Sequence, residues 1–201
     1  MLAEMRAITL AMRLLAIEAC MAAPGRLALL TPIVKAWSTD RGCEVASLGV
    51  QVHGGMGFCE DAGAAQVLRD VRITPIYEGT NGIQALDLVG RKLRGDGGAA
   101  MRAVLAEAAA AHPLLAGPAA EAMAATDFLL NADQAVVAAG ATAYLEACGW
   151  LLGGWMLARA AALEPNYGPL CEFYLRRLLP RAGSSLVQLR EAPALLALMA
   201  A

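Results

Sequence analysis

A chain of 201 residues with 16 basic and 18 acidic side chains and a net charge of −2 can bury one or two cores, but it has no basic cluster to attract a nucleic acid. It is 58% apolar and only 5% aromatic, with Ala and Leu dominant and β-branched residues sparse outside 45–76, which is the composition of packed helices and predicts an all-α fold. Two histidines, His53 and His112, cannot build a structural zinc site with five cysteines that lack C-x-x-C spacing, and the odd cysteine count reads as reduced, buried thiols of a cytoplasmic protein.

Residues 2–22 carry Leu2, Met5, Ile8, Met12, Leu15 and Met21 on one broad face, with Arg6, Arg13 and Glu18 between them, and predict a helix. Pro24-Gly25 breaks it. A second helix is expected from near Arg26 or Pro32 to about Val52, with Leu30, Ile33, Val34, Trp37, Val45 and Leu48 as its apolar stripe. The short connection makes the two an antiparallel hairpin. Gly54-Gly55-Met56-Gly57 ends the second helix. A shorter helix follows from Asp61 to Val71, with Ala65, Val67 and Leu68 turned inward. Arg72 to Tyr77 is expected to be extended around Pro75. The next helix opens between Glu78 and Thr80, with Thr80 as its N-cap, and continues through Leu93.

Arg94-Gly95-Asp96-Gly97-Gly98 is the clearest linker, and it places a boundary between residues 1–94 and 98–201. The Ala/Leu-rich second part predicts helices near 99–111, 117–148, 150–163 and 168–190. Ala135 to Leu163 is its longest apolar stretch, and mean hydropathy of +0.51 raises the question of a membrane span. Glu146 and Arg159 divide that stretch into runs shorter than the ~20 residues a span needs, so a buried core helix is expected and no membrane span. Glu4 and Arg6, without a cleavage-like site after a short apolar run, predict no signal peptide.

Glu78 is the strongest candidate for chemistry. An acidic residue at a helix N-terminus is favoured by the macrodipole alone. Here Pro75, Ile76 and Tyr77 are apolar neighbours that would shield the carboxylate. Desolvation raises a carboxyl pKa while the helix terminus lowers it, and a base balanced between them suits removal of a proton from carbon. Gln51-Val52-His53-Gly54-Gly55-Met56-Gly57 has an ordinary reading as a helix C-cap. Its other reading is bare backbone at Gly54 and Gly55, open to close approach by a partner or phosphate. His53 reads as a polar packing residue. Arg69-Asp70 and Arg72 read as charges that position the segment to Tyr77. Trp150 and Trp155, around Gly153-Gly154, read as helix packing at small residues.

Gln51-Val-His-Gly-Gly-Met-Gly-Phe, then Leu68-Arg-Asp, then Ile73-Thr-Pro-Ile-Tyr-Glu-Gly-Thr-Asn-Gly-Ile-Gln84, resembles in order the C-terminal helical domain of the acyl-CoA dehydrogenase family across residues 1–93. The tail is similar to the extra helical domain of a long branch that includes 3-methylmercaptopropionyl-CoA dehydrogenases. Ala139-Gly-Ala-Thr142, Gly153-Gly-Trp155 and Leu178-Leu-Pro180 carry that weaker match. The resemblance implies FAD as cofactor, an acyl-CoA substrate, an electron-transfer flavoprotein as acceptor and a homo-oligomeric enzyme. It implies that Glu78 is the base that removes the α-proton, with its backbone N–H polarising the thioester carbonyl. Gly79 would lie beside the acyl chain and Thr80 against the flavin. Gln51, Gly54 and Gly55 would touch the adenine side of an FAD held mainly by a neighbouring subunit. Gly82 departs from relatives that carry a larger polar residue there. Complete relatives have an N-terminal helical domain and a β-domain before this region, so the isolated chain is expected to be inactive. A non-catalytic helical interaction module that keeps the family's assembly surfaces is the alternative, and a membrane-associated helical protein is a more distant one.

Overall fold

The computed structural model describes residues 1–200, and the chain is 88% helical with no strand among them. The all-α expectation therefore holds. Helix α1 spans Leu2–Met21 and α2 spans Pro24–His53. Pro24 opens α2 rather than preceding it, because a first-turn proline surrenders an N–H that has no intrahelical partner anyway. Short helices follow at Gly55–Phe58 (α3), Ala64–Val71 (α4) and Asn81–Asp87 (α5), the last running through a π turn at Leu88–Lys92 into Leu93–Gly95 (α6). The remainder is α7 Ala99–Ala111, α8 Pro113–Asn131, α9 Gln134–Leu163, α10 Gly168–Arg177 and α11 Pro180–Ala200.

Helix α9 organises the fold. It packs against α1, α2 and α5 on one side of the chain's linker and against α7, α8, α10 and α11 on the other. One hydrophobic core runs from Ala7 in α1 to Leu189 in α11. By length and composition α9 is apolar enough to cross a membrane, yet 61% of its most apolar window is buried inside the fold, which is how a core helix behaves.

The helix boundaries in the second half differ from the sequence reading: the helix expected from 117 begins at Pro113, and the one expected over 168–190 is split at Leu178–Leu179. The expected 117–148 helix is interrupted at Ala132–Asp133, and the expected break at Gly149 lies in the middle of α9. Gly149 is there for close approach. A Cβ on it would sit 2.2 Å from Cγ of Trp37, so the indole of α2 occupies the space a side chain would need. Gly153, one turn on, admits Trp37 and the Tyr174 hydroxyl in the same way. Trp37 meets Trp150 edge-on, with ring centroids 5.4 Å apart and planes at 84°. Tyr174 donates its hydroxyl to the Trp150 carbonyl at 2.9 Å, which satisfies a wholly buried phenol. Arg181 of α11 lies 4.1 Å from the Trp150 ring centroid and forms a two-pronged ion pair with Glu44 of α2, at 2.6 and 3.1 Å.

Two local expectations also need correction. Val67 points to solvent with 59% exposure, because α4 turns Ala64, Ala65, Leu68 and Val71 toward the rest of the chain. The cysteines are not uniformly buried. Cys148 and Cys171 are, Cys43 is half-buried, and Cys20 and Cys59 are exposed. Burial pushes the Cys148 thiol up to about 12 and the Cys171 thiol up to about 11. Because the thiolate is the nucleophile, an alkylating agent at mildly alkaline pH is expected to label Cys20 and Cys59 quickly. Cys148 and Cys171 should react only after unfolding, and peptide mass mapping against time checks this order.

Candidate active site

The site is built where the chain enters α5. Arg72 to Tyr77 was expected to be extended, but the segment forms successive turns. Ile73 O accepts from Ile76 N at 2.9 Å and from Tyr77 N at 3.1 Å, and the Thr74 hydroxyl donates to Val71 O at 2.7 Å. Pro75 sits inside this turn, where its fixed φ is useful rather than disruptive. Glu78 then adopts φ 55 and Gly79 φ 82. Glu78 is the one non-glycine residue with positive φ among the described residues. Such a conformation costs a side-chain-bearing residue about 1–2 kcal/mol. Backbone strain of this kind concentrates at functional sites. Thr80 closes the turn as N-cap of α5, its hydroxyl accepting from Ile83 N at 3.4 Å.

The carbonyls of Pro75, Glu78 and Gly79 are each held. Asn81 N donates to Pro75 O at 3.0 Å, Gln84 Nε2 to Glu78 O at 3.2 Å, and Lys35 Nζ of α2 to Gly79 O at 2.8 Å. The N–H of Glu78 has no acceptor among the described residues. The Glu78 side chain is exposed and lines an open groove of about 660 Å³ between α2 and α5. Ala28, Pro32 and Ile83 give the groove apolar walls, and Arg91 and Lys92 also line it. The expected apolar shield is not in place. Ile76 and Tyr77 are 50% and 51% exposed and leave the carboxylate open to water, since a surface turn has no facing wall to press them against it.

Asn81 is the hub beneath the turn. Its Oδ1 accepts from Lys35 Nζ at 2.8 Å and from the Thr39 hydroxyl at 3.2 Å. Its Nδ2 lies 2.8 Å from Asp40 Oδ1, 3.0 Å from Ala36 O and 3.0 Å from Thr39 Oγ1. Burial pushes the Asp40 carboxyl up, while the hydrogen bond from Asn81 and the charge of Arg41 pull it part of the way back. Sequence reasoning missed Lys35, Asp40 and Asn81. The one available signal was a lysine and an aspartate inside the otherwise apolar-striped stretch from Ile33 to Trp37 and beyond.

Gln51, Gly54 and Gly55 are not brought to Glu78. Gln51 lies near the C-terminal end of α2, about 24 Å from Lys35 at 1.5 Å per residue, and Gly54 and Gly55 follow that end. Gln51 is exposed, and a Cβ at Gly54 or Gly55 would meet nothing within 4 Å. The φ of 61 at Gly54 requires glycine on backbone grounds, whereas Gly55 has no internal reason to lack a side chain. Gly57 is different, since its Cβ would collide with Val50 O at 2.4 Å. His53 caps its own helix, with Nδ1 at 2.8 Å from Gly49 O. Arg69 does not reach the 72–77 segment. It forms a two-pronged pair with Glu60 at 2.7 Å for both oxygens, clipping the 3-10 turn Glu60–Ala62.

Residues 1–93 match the family described as acyl-CoA dehydrogenase, C-terminal domain. The chain is 43% identical to 3-methylmercaptopropionyl-CoA dehydrogenase of Ruegeria pomeroyi over 86% of its own length and 35% of that protein's. It is 31% identical to a broad-specificity linear acyl-CoA dehydrogenase of Mycobacterium tuberculosis, over 67% of this chain and 26% of that protein. Among solved structures its fold resembles Caenorhabditis elegans ACDH-11, determined in complex with C11-CoA, with a TM-score of 0.68 and 23% identity, covering 87% of this chain and 35% of that one. The chain thus spans about a third of the length of these proteins.

Proposed function

Residues 1–93 are an acyl-CoA dehydrogenase C-terminal domain, and from that premise we propose that this chain supplies the proton-abstracting part of an FAD-dependent acyl-CoA dehydrogenase. The observation that carries the reading is the Glu78–Gly79 turn. Its carbonyls are tied down, while the Glu78 carboxylate and N–H are left free at a groove with apolar walls.

In this reading the acyl thioester lies along the groove beside Gly79. Glu78 takes the α-proton onto its carboxylate. The Glu78 N–H donates to the thioester carbonyl and stabilises the enolate-like charge that develops there. FAD, if held here, would supply the acceptor for the β-hydrogen as hydride, with an electron-transfer flavoprotein as the onward electron acceptor. The residues present fit edge contacts to FAD. The Thr80 hydroxyl makes only one long hydrogen bond within the chain, and Gln51, Gly54 and Gly55 form an uncovered surface. The two places are separated along α2, by about 24 Å from Lys35 to Gln51 at 1.5 Å per residue, and in this reading they serve two different flavins of a homo-oligomer. The open groove gains the missing shield over Glu78 only when further protein packs against Ile76 and Tyr77.

Flavin retention tests this reading. The 201-residue chain, offering edge contacts alone, is expected to elute from gel filtration without flavin. The same chain joined to segments homologous to the other two thirds of its relatives is expected to retain FAD and to bleach on adding an acyl-CoA. A yellow 201-residue chain, or a joined protein that binds neither ligand, would overturn the proposal.

A further inference from the structure

The hold on Glu78 comes from outside its own helix. Thr80 already caps α5, and the turn's other local contacts, Asn81 N to Pro75 O and Gln84 Nε2 to Glu78 O, lie within six residues. Lys35 is 44 residues away in sequence and spends its ammonium on Gly79 O and Asn81 Oδ1, both at 2.8 Å. Neither contact completes a helix, and neither belongs to the hydrophobic core. What they fix is the direction in which the left-handed Glu78–Gly79 pair leaves the turn. Asn81 is in turn oriented from below. Its Nδ2 donates to Asp40 Oδ1 at 2.8 Å, which forces its Oδ1 up toward Lys35. An amide flipped the other way would set its NH₂ against the lysine ammonium. Asp40 therefore selects the amide orientation, Asn81 and Gly79 together seat the lysine, and the lysine pins the turn.

We infer that Lys35, Asn81 and Asp40 are positioning residues that hold Glu78 in its left-handed conformation with its carboxylate facing the groove. Their value for catalysis rests on the reading of Glu78 as the base. The hold itself does not, because it is a property of the turn in this chain. A carboxylate displaced by an ångström from its proton loses much of the advantage of orientation.

The 201-residue chain gives the direct test. Cleavage by a glutamate-specific protease between Glu78 and Gly79 requires the turn to open, so the rate of that cut, read by mass spectrometry, reports the hold. Lys35→Met keeps the aliphatic stem and removes the donors. Asn81→Asp keeps the acceptor for Lys35 but sets a carboxylate against Asp40. Each is expected to speed the cut about tenfold or more, the scale of a lost charge-assisted hydrogen bond. Lys35→Arg should restore slow cleavage. Adding Asp40→Asn to Asn81→Asp restores a donor–acceptor pair between positions 40 and 81 while the new carboxylate still faces Ala36 O, and should bring the rate part of the way back toward wild type. Thermal midpoints measured alongside identify a merely global effect, which the exchanged pair would not reverse at this one bond. Wild-type cleavage rates in Lys35→Met and Asn81→Asp, or an exchanged pair as open as Asn81→Asp alone, would overturn the inference.

In the joined, flavin-containing protein the same variants should slow flavin reduction while acyl-CoA binding changes little. If Glu78 is not the base, Glu78→Gln is silent there while the cleavage pattern still follows the variants. If the positioning inference is wrong, Glu78→Gln abolishes reduction while Lys35→Met and Asn81→Asp match wild type in both assays.

Discussion

Glu78→Gln, introduced into the chain joined to its complementary domains, is expected to slow flavin reduction by acyl-CoA by at least about 10²–10⁴-fold, the usual worth of a general base. The amide keeps the shape of the carboxylate, its acceptor oxygen and the backbone N–H, so thioester binding should change little. A fall in the chemical step without a matching loss of binding is the signature of an interaction made in the transition state. The competing account makes Glu78 a partner of the α5 dipole. Removing the charge would then cost about 0.3–1 kcal/mol of stability and leave the rate nearly intact. The structure weakens that account on two points. Glu78 lies before the N-cap Thr80 rather than inside the first turn of α5, and it holds a positive φ that a dipole partner has no need of. Stopped-flow bleaching separates the two. A rate within about tenfold of wild type, below the general-base range, would remove Glu78 from the mechanism.

Trp37→Ala is expected to destabilise the chain by about 3–5 kcal/mol, the range for emptying an indole-sized space in a core. The indole is 1% exposed and lies across the α2–α9 contact. It fills the clefts at Gly149 and Gly153 and meets the edge of Trp150. At roughly 2–4 °C per kcal/mol for a chain of this size, the melting midpoint followed by circular dichroism should fall by about 6–20 °C. Gly149→Val tests the same contact from the other side. Its Cβ would enter the Trp37 ring, so overpacking should cost about 1–3 kcal/mol or more. The two substitutions should not add. With the indole gone, the valine has room, and the double variant should be more stable than the sum of the single losses predicts. Strict additivity would mean that Trp37 and Gly149 do not share one space.

The positions of Glu78 and Thr80 were legible in the sequence because caps and turns are decided by groups within a few residues of one another. Thr80 accepts from Ile83 N and starts the helix as its side chain predicts. The function of the region was legible for another reason, the ordered series of motifs from Gln51 to Gln84. The machinery beneath Glu78 was not legible. Lys35, Asp40 and Asn81 are common polar residues, and only the packing of α2 against α5 makes them partners. The separation of Gln51, Gly54 and Gly55 from Glu78 was equally hidden, since it depends on the Glu78 turn packing against α2 at Lys35, far from that helix's C-terminal end.

By itself the sequence determined that the chain is helical, because Ala and Leu favour helix at every position whatever lies opposite. It also determined the breaks at residues 22–23, 54 and 96–98, where proline or glycine acts on the local backbone. Tertiary structure alone decided what Gly149 and Gly153 mean. A glycine in isolation reads as a helix end, but one facing an indole more than a hundred residues away is the condition for two helices to touch. It also decided that a single core joins the two halves of the chain, because an apolar helix carries no mark of which neighbours it will bury. Burial is a property of the facing surface, and the facing surface exists only once the chain has folded.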